Sequence, residues 1–282
     1  MSMNRPSCLL ASALTAGMLL STAACSDAGG DGSGSGRTDV SASPVSASPV
    51  AEEPRAASPS PSASAVRTLT KDEAHTALIT NSDLGSQWSE SKGVATWHDA
   101  LLKSTVDPAD FITDKANATQ CQKLLDGLYT EDLLGEPKGA SAVTGFDDSD
   151  NDAQMRYEVG AYGKTALDDK LKWLKTLPDT CDEFTAVNGK GDRQTVQVIS
   201  TALPDAGDAR QGLRVTMKGE LEGDPETLTL DFATVRVGDS ALSLTNGGLD
   251  GTEHDSTEQA VEAGTKRLQD VLAGKSPAPT QG

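Results

Sequence analysis

The chain has 282 residues and a formal net charge of −18 at pH 7, with 36% hydrophobic and only 4% aromatic residues. This acidic balance excludes a protein that holds a nucleic-acid backbone or anionic lipid headgroups through a basic surface. Four cysteines are too few for a small domain built around disulfides. The low hydrophobic share indicates that part of the chain contributes nothing to a folded core.

The first 24 residues have the pattern of a signal peptide. Arg5 precedes an apolar run over residues 8–20, which is shorter than the roughly 20 residues that span a membrane. Two alanines stand directly before Cys25, an ending that resembles the lipobox of bacterial lipoproteins. The resemblance implies cleavage before Cys25, a diacylglycerol on its thiol and an acyl chain such as palmitate on the new amino terminus. Thr22 replaces the usual Leu, so secretion after ordinary cleavage is the alternative, and a retained membrane anchor is a minor one.

A tether is predicted over residues 25–66. Beyond Cys25 it consists mostly of Ser, Ala, Pro, Gly and Val, with no aromatic residue, Leu or Ile, and a Ser-Ala-Ser-Pro-Val unit at 41–45 repeats at 46–50. Such a segment buries too little apolar surface to offset its ordering entropy, so we expect a disordered linker. Stalks of this composition can be O-glycosylated. A disordered tail is predicted over 276–282.

Residues 67–275 are long enough for one well-filled core. Three arginines and five acidic residues lie outside them, so the domain carries an acidic excess of 16. Capping residues and apolar spacing predict four helices: one that a capping box opens at Thr70 and that residues 81–85 end, one over 118–128, one capped by Thr165 and one opened by Ser256. Strands are predicted at 142–146 and 155–162, between the second and third helices. Further strands are predicted at 195–202, 212–218, 228–237 and 241–244, between the third and fourth helices. Short connections favour antiparallel pairing, so the predicted fold class is α+β: a single domain with a twisted antiparallel sheet and packed helices.

Four features of this domain, taken in chain order, support a resemblance to a known family. They are the first-helix ending Asp83-Leu-Gly-Ser-Gln-Trp88, a helix with Cys121, a strand–helix unit leading to Cys181, and a strand meander with Val235-Arg-Val-Gly238. Together they resemble actinobacterial cell-surface lipoproteins with a PknH-like extracellular sensor domain, over residues 70–274. The resemblance implies an α+β sensor domain with a cleft for an unknown ligand. That domain has two disulfides, whereas this chain has cysteines for one; the two cysteine positions carry over, and no ligand-contacting residue does.

The cysteines predict one disulfide. Cys8 leaves with the signal peptide and Cys25 takes the lipid, so Cys121 and Cys181 remain as an even pair in an exported, oxidising compartment. Two separate thiols are an alternative. A metal or redox site is a further one, although neither a CxxC motif nor a nearby histidine supports it.

No motif for catalysis or cofactor binding is present. The sequence has no GxSxG elbow, no P-loop and no dinucleotide fingerprint, so we expect a protein that is not an enzyme and holds no cofactor. His75, His98 and His254 are scattered without zinc spacing, and we expect them at the surface with no metal bound.

An acidic run contains a partial calcium pattern. Asp148, Asp150 and Asp152 match the first three ligand positions of a calcium loop, but Ala153 and Val159 occupy the positions of its glycine and closing glutamate. The run lies between two predicted strands, so we expect an acidic hairpin turn.

The tryptophans allow two interpretations. Trp88 and Trp173 are expected in the core, and the alternative is that they line a ligand surface together with Trp97.

Three functions compete at this stage. The first is a non-catalytic, lipid-anchored ligand-binding or sensor-like module on the outer face of the cytoplasmic membrane. The second is a protein-interaction scaffold of the cell envelope, and the third is a wall hydrolase. A concave, partly apolar pocket would favour the first, a flat apolar patch the second, and two carboxylates in separated environments the third. The acidic excess favours an uncharged or basic ligand, in a cleft between the sheet and a helix, and no nucleic acid.

Overall fold

The computed structural model describes residues 68–91, 103–107, 115–151, 153–221, 223–249 and 251–277. All of these belong to one compact unit, residues 59–282. The predictions for the signal peptide, Cys25 and the tether lie outside the described residues, as do those for Trp97, His98, Asp152 and most of the tail. None of the helices in the described stretches is long and apolar enough to cross a membrane.

Nine strands in the described residues form one antiparallel sheet. They are β1 (Trp88–Glu90), β2 (Ser104–Val106), β3 (Ser141–Asp148), β4 (Gln154–Ala161), β5 (Glu183–Asn188), β6 (Arg193–Thr201), β7 (Ala209–Leu221), β8 (Asp224–Val237) and β9 (Ser240–Gly248). Their order across the sheet is β1-β3-β4-β9-β8-β7-β6-β5-β2. The α+β class and the antiparallel pairing are therefore confirmed.

Five helices in the same stretches form two layers. They are α1 (Lys71–Thr76), α2 (Asn81–Leu84), α3 (Lys115–Thr130), α4 (Lys164–Thr180) and α5 (His254–Leu272). One hydrophobic cluster joins α3 and α4 to β5, β6, β7 and β8. The other joins α1, α2 and α5 to β3, β4, β8 and β9.

The two helical layers lie on opposite faces of the sheet. On β8, Leu230 and Phe232 belong to the cluster of α3 and α4, whereas Ala233 and Val235 belong to the cluster of α5. Successive strand residues point to opposite faces, so this alternation separates the layers. The α3–α4 layer packs mainly against β5 to β8, and the other layer against β3, β4, β8 and β9. Among the described residues, the rest of each face carries no helix.

Two predicted helix beginnings and one predicted ending are wrong. The capping box of Thr70 and Glu73 forms as predicted, but residues 81–84 make a second short helix with a capping box of its own. The helix assigned to a Thr165 cap begins at Lys164, whose backbone N–H donates to Asp239 Oδ1 at 3.0 Å. The last helix begins at His254, so Ser256 lies inside it. Asp239, which accepts the hydrogen bond from Lys164, lies 75 residues from it in sequence, and a local pattern cannot identify so distant a partner.

The predicted disulfide is present. Cys121 of α3 and Cys181, directly after α4, form a bond with Cα atoms 5.6 Å apart. Both cysteines are fully buried in the cluster that α3 and α4 share. The bond therefore ties the two helices of one layer together.

Candidate functional site: a cavity beside the end of α3

A cavity of about 450 Å³ opens where the α3–α4 layer stops. Its floor is the uncovered part of β3, β4 and β9, and its wall is residues 127–137, which comprise the last turn of α3 and the loop that follows. We call it the first cavity. It is concave and combines polar with apolar side chains, as ligand sites do.

Three charged side chains of the first cavity form one ion-pair cluster. Arg156 Nε lies 2.8 Å from Glu131 Oε2, and Arg156 Nη1 lies 2.9 Å from Glu158 Oε2. The exposed fraction is 14% for the arginine side chain and 12% for each glutamate. Charges so far removed from water interact more strongly than a surface pair does.

The alternation of β4 places two of these charges. Met155, Tyr157 and Val159 are buried in the cluster with α5. Arg156 and Glu158 stand between them and so point to the opposite face. None of the described helices lies over that part of the opposite face, which gives the charged side chains the room that the first cavity provides.

Glu131 reaches the cluster through an unusual backbone. It is the one non-glycine residue with positive φ in the described part of the chain, at 61°. The N–H of Asp132 donates to the carbonyl of Gly127 at 3.0 Å, which closes α3 in the way that usually places glycine at the left-handed position. A glutamate there costs conformational energy. Its carboxylate gains the ion pair with Arg156.

Aromatic side chains complete the first cavity. Phe232 of β8 and Tyr162, directly after β4, line it and are nearly buried. Burial raises the pKa of the Tyr162 phenol, and Glu158 raises it further while Arg156 opposes both. Tyr162 is therefore a neutral phenol at physiological pH, able to donate or accept a hydrogen bond.

The charge balance of the lining is negative. Glu131, Asp132, Glu136 and Glu158 face a single guanidinium, that of Arg156. His75, exposed on α1, also lines the cavity. The local potential adds to the acidic excess of the domain, and both oppose entry of an anion.

The predicted site residues are distributed as follows. Trp88 lies in the core as expected, whereas Trp173 is only partly buried and lines a separate groove. His75 is exposed as expected, but His254 contacts the buried carboxylate of Asp231. In the β3–β4 turn, Asp148 accepts hydrogen bonds from the backbone of Asp150 and the side chain of Asn151, which is turn geometry. No cluster of three potential metal ligands occurs among the described residues.

Sequence reasoning did not identify Arg156, Glu131 or Glu158. A sequence signal was present for Arg156 and Glu158, because these two charged residues alternate with apolar ones on a strand that was predicted correctly. For Glu131 there was none, since its place depends on how α3 ends.

Comparisons with known proteins give a distant structural likeness. No family model matches the chain, and no curated protein matches it. Among solved structures, the extracellular domain of PknH from Mycobacterium tuberculosis is 12% identical with a TM-score of 0.43, covering 75% of this chain and 100% of that one. At this identity and score the likeness does not place the chain in a family.

Proposed function

We propose that the protein is a non-catalytic, sensor-like module that binds a small uncharged or cationic ligand in the first cavity. The observation that carries the proposal is the concave cavity itself, with an ion-pair cluster and buried aromatic side chains in its lining. Its net negative lining favours neutral or cationic groups. Phe232 and Tyr162 offer apolar contact, and the Tyr162 hydroxyl offers a polar one.

The geometry supports binding better than hydrolysis or scaffolding. Glu131 and Glu158 contact the same guanidinium and are equally exposed, whereas an acid–base pair needs two carboxylates in different environments. A scaffold would be supported by an apolar surface patch. Among the described residues, Ile199 is the one exposed large hydrophobic side chain, so no such patch favours that alternative.

We also propose that the module works outside the cytoplasmic membrane, held by lipid at Cys25. The signal-peptide pattern, the lipobox-like ending and the tether composition support this location. So does the Cys121–Cys181 disulfide, because disulfides persist in oxidising compartments. The lipidation rests on sequence, and the tether would give the domain reach beyond the membrane surface.

Cys25→Ser is expected to release the protein from the membrane fraction. Without the thiol no diacylglycerol attaches, and the buried methylenes that hold the chain, at about 0.8 kcal/mol each, are lost. Fractionation of the producing cells, with intact-mass measurement of the membrane-extracted wild type, checks this. Cys8→Ser is the matched control and should stay with the membrane. A wild-type mass with no added lipid would contradict the proposal.

The ligand class can be tested with three hexoses of similar size and different charge. We expect neutral compounds such as N-acetylglucosamine, or cationic ones such as glucosamine, to raise the melting temperature of the protein, because a ligand that binds only the folded state stabilises it. Anionic compounds such as glucuronate should have no effect. A thermal-shift screen of envelope molecules built around such matched sets measures this.

Glu158→Gln provides the link to the first cavity. It keeps the shape of the side chain and removes one charge, so stabilisation by cationic compounds should fall while the fold is retained. Asp179→Asn, exposed near the end of α4, makes the same chemical change outside the cavity and should leave that stabilisation intact. Stabilisation by anions alone would overturn the ligand class. If no compound acts and a protein co-purifies, the scaffold interpretation replaces the proposal.

A further inference from the structure

A second concave site lies on the other side of the wall that bounds the first cavity. This groove, of about 610 Å³, runs beside α3 and α4 and has Lys123, Lys170 and Trp173 in its lining. Five residues line both sites: Gly127, Thr130, Asp132, Leu133 and Gly135. One turn of chain therefore separates two sites of different chemistry.

Trp173 is fixed in orientation within the groove. Its indole N–H donates to Gln120 Oε1 of α3 at 2.8 Å. The ammonium groups of Lys123 and Lys170 lie 4.3 and 5.8 Å from the centroid of its ring. Two positive charges from different helices are therefore gathered at one aromatic side chain, each favoured there by the ring quadrupole.

Neither lysine of the groove forms an ion pair with a described residue, although carboxylates stand nearby. Asp126 and Asp132 also line the groove, so two carboxylates balance the two ammonium groups there; Asp126 accepts a hydrogen bond from Gln122 at 2.8 Å and Asp132 accepts one from Thr130 at 2.7 Å. Burial lowers the pKa of Lys170, and the charge of Lys123 lowers it further, with Asp132 opposing. An anion between the two ammonium groups would relieve their repulsion.

We propose that the groove binds a small molecule through its phosphate or carboxylate group, held between Lys123 and Lys170 beside Trp173. This site is separate from the first cavity and takes the opposite ligand charge. The acidic excess of the domain opposes anions at long range and is screened by salt, whereas the ammonium groups of Lys123 and Lys170 would act on a bound anion at contact distance. Binding is therefore local and depends on both lysines.

Titration with inorganic phosphate tests the proposal. The mature chain with Cys25→Ser is followed through the ¹⁵N–¹H signal of the Trp173 indole, assigned with Trp173→Phe, at constant ionic strength set by chloride. We expect a saturable shift of that signal. Lys123→Gln or Lys170→Gln should weaken phosphate binding about tenfold or more, because each removes a charge-assisted hydrogen bond. Lys170→Arg should retain it.

Lys172→Gln is the matched control, because it removes the same charge from the exposed side of the same helix. The phosphate affinity of this variant should equal that of the chain in which all lysines are retained. The proposal is overturned if phosphate leaves the Trp173 signal unchanged, or if Lys172→Gln weakens binding as much as Lys170→Gln. A neutral sugar that shifts the signal equally would also overturn it. Glu158→Gln should leave phosphate binding intact, which separates this proposal from that for the first cavity.

Discussion

Loss of the Cys121–Cys181 disulfide is expected to lower the free energy of unfolding by about 4 kcal/mol. The bond closes a loop with a sequence separation of 60 residues, and in the chain-entropy model a loop of that length restricts the unfolded chain by about this amount. Urea unfolding of the Cys121→Ser/Cys181→Ser double variant, followed by circular dichroism, measures the loss.

The same variant should also lose ligand binding at a lower temperature than the wild type does. Glu131, Arg156 and Glu158 all lie between the two cysteines in sequence, so the closed loop contains the ion-pair cluster of the first cavity. Cys25→Ser alone is the control and should unfold as the wild type does. An unfolding free energy equal to that of the wild type, measured without reductant, would show that the bond does not constrain the unfolded chain.

The elements that were predicted correctly are those whose apolar pattern matches one buried face. The helix with Cys121, Leu124, Leu125 and Leu128 on one side is α3, and all four side chains are buried. The strands that became β3, β4 and β6 to β9 alternate or are apolar over their length. By contrast, the three-residue strands β1 and β2 are too short to show a pattern before their partners are known. The strand β5 was missed although its buried residues alternate.

The candidate site was less predictable than the fold. The first cavity exists because the α3–α4 layer covers only part of one face of the sheet, and layer coverage is a tertiary property. The groove required Trp173 to be half-exposed, whereas a tryptophan on the helix that buries Leu167, Leu171 and Leu174 was expected in the core. Trp173 directly precedes Leu174 and is turned about 100° from it around the helix, so it lies beside the buried face and not within it.

His254 was expected to be an ordinary surface histidine, and that expectation is wrong. Asp231 of β8 is fully buried, and Arg214 donates to both its carboxylate oxygens, from Nε at 2.6 Å and Nη2 at 2.9 Å. His254 Nδ1 lies 2.8 Å from the same carboxylate, and Nε2 lies 2.9 Å from the carbonyl oxygen of Ala202. The cluster joins β7, β8, the start of α5 and the chain after β6.

Asp231→Asn is expected to lower the free energy of unfolding by about 3 kcal/mol. Removing one partner of a buried ion pair leaves the other charges uncompensated, a loss of roughly 3–5 kcal/mol. The lower end applies because the side chains of Arg214 and His254 are 28% and 26% exposed and keep some hydration. Chemical denaturation at pH 6 measures the change. Asp205→Asn, which affects the exposed Asp205–Arg210 pair, is the control and should change stability little.

The pH dependence of the unfolding free energy identifies the contribution of His254 to stability. Burial alone would lower the pKa of His254, but hydrogen bonds to Asp231 and to the Ala202 carbonyl outweigh it, so the pKa lies above its ordinary 6.5. Because the folded state binds the proton more tightly than the unfolded state, this stabilisation is complete below pH 6.5 and is lost as the pH rises through the raised value. The difference in unfolding free energy between wild type and His254→Gln should therefore shrink from pH 5.5 to pH 9.

A double-mutant cycle assigns this pH dependence to the carboxylate. In an Asp231→Asn background the acceptor of the Nδ1–H bond no longer carries charge, so replacing His254 should cost less and its pH dependence should flatten. The Ala202 carbonyl and Glu258, whose Oε1 lies 3.7 Å from His254 Nε2, remain in both backgrounds and cancel in the cycle. If the pH dependence of the His254→Gln difference is the same with and without Asp231, then the histidine draws its proton affinity from those two acceptors, and the buried carboxylate serves Arg214 alone.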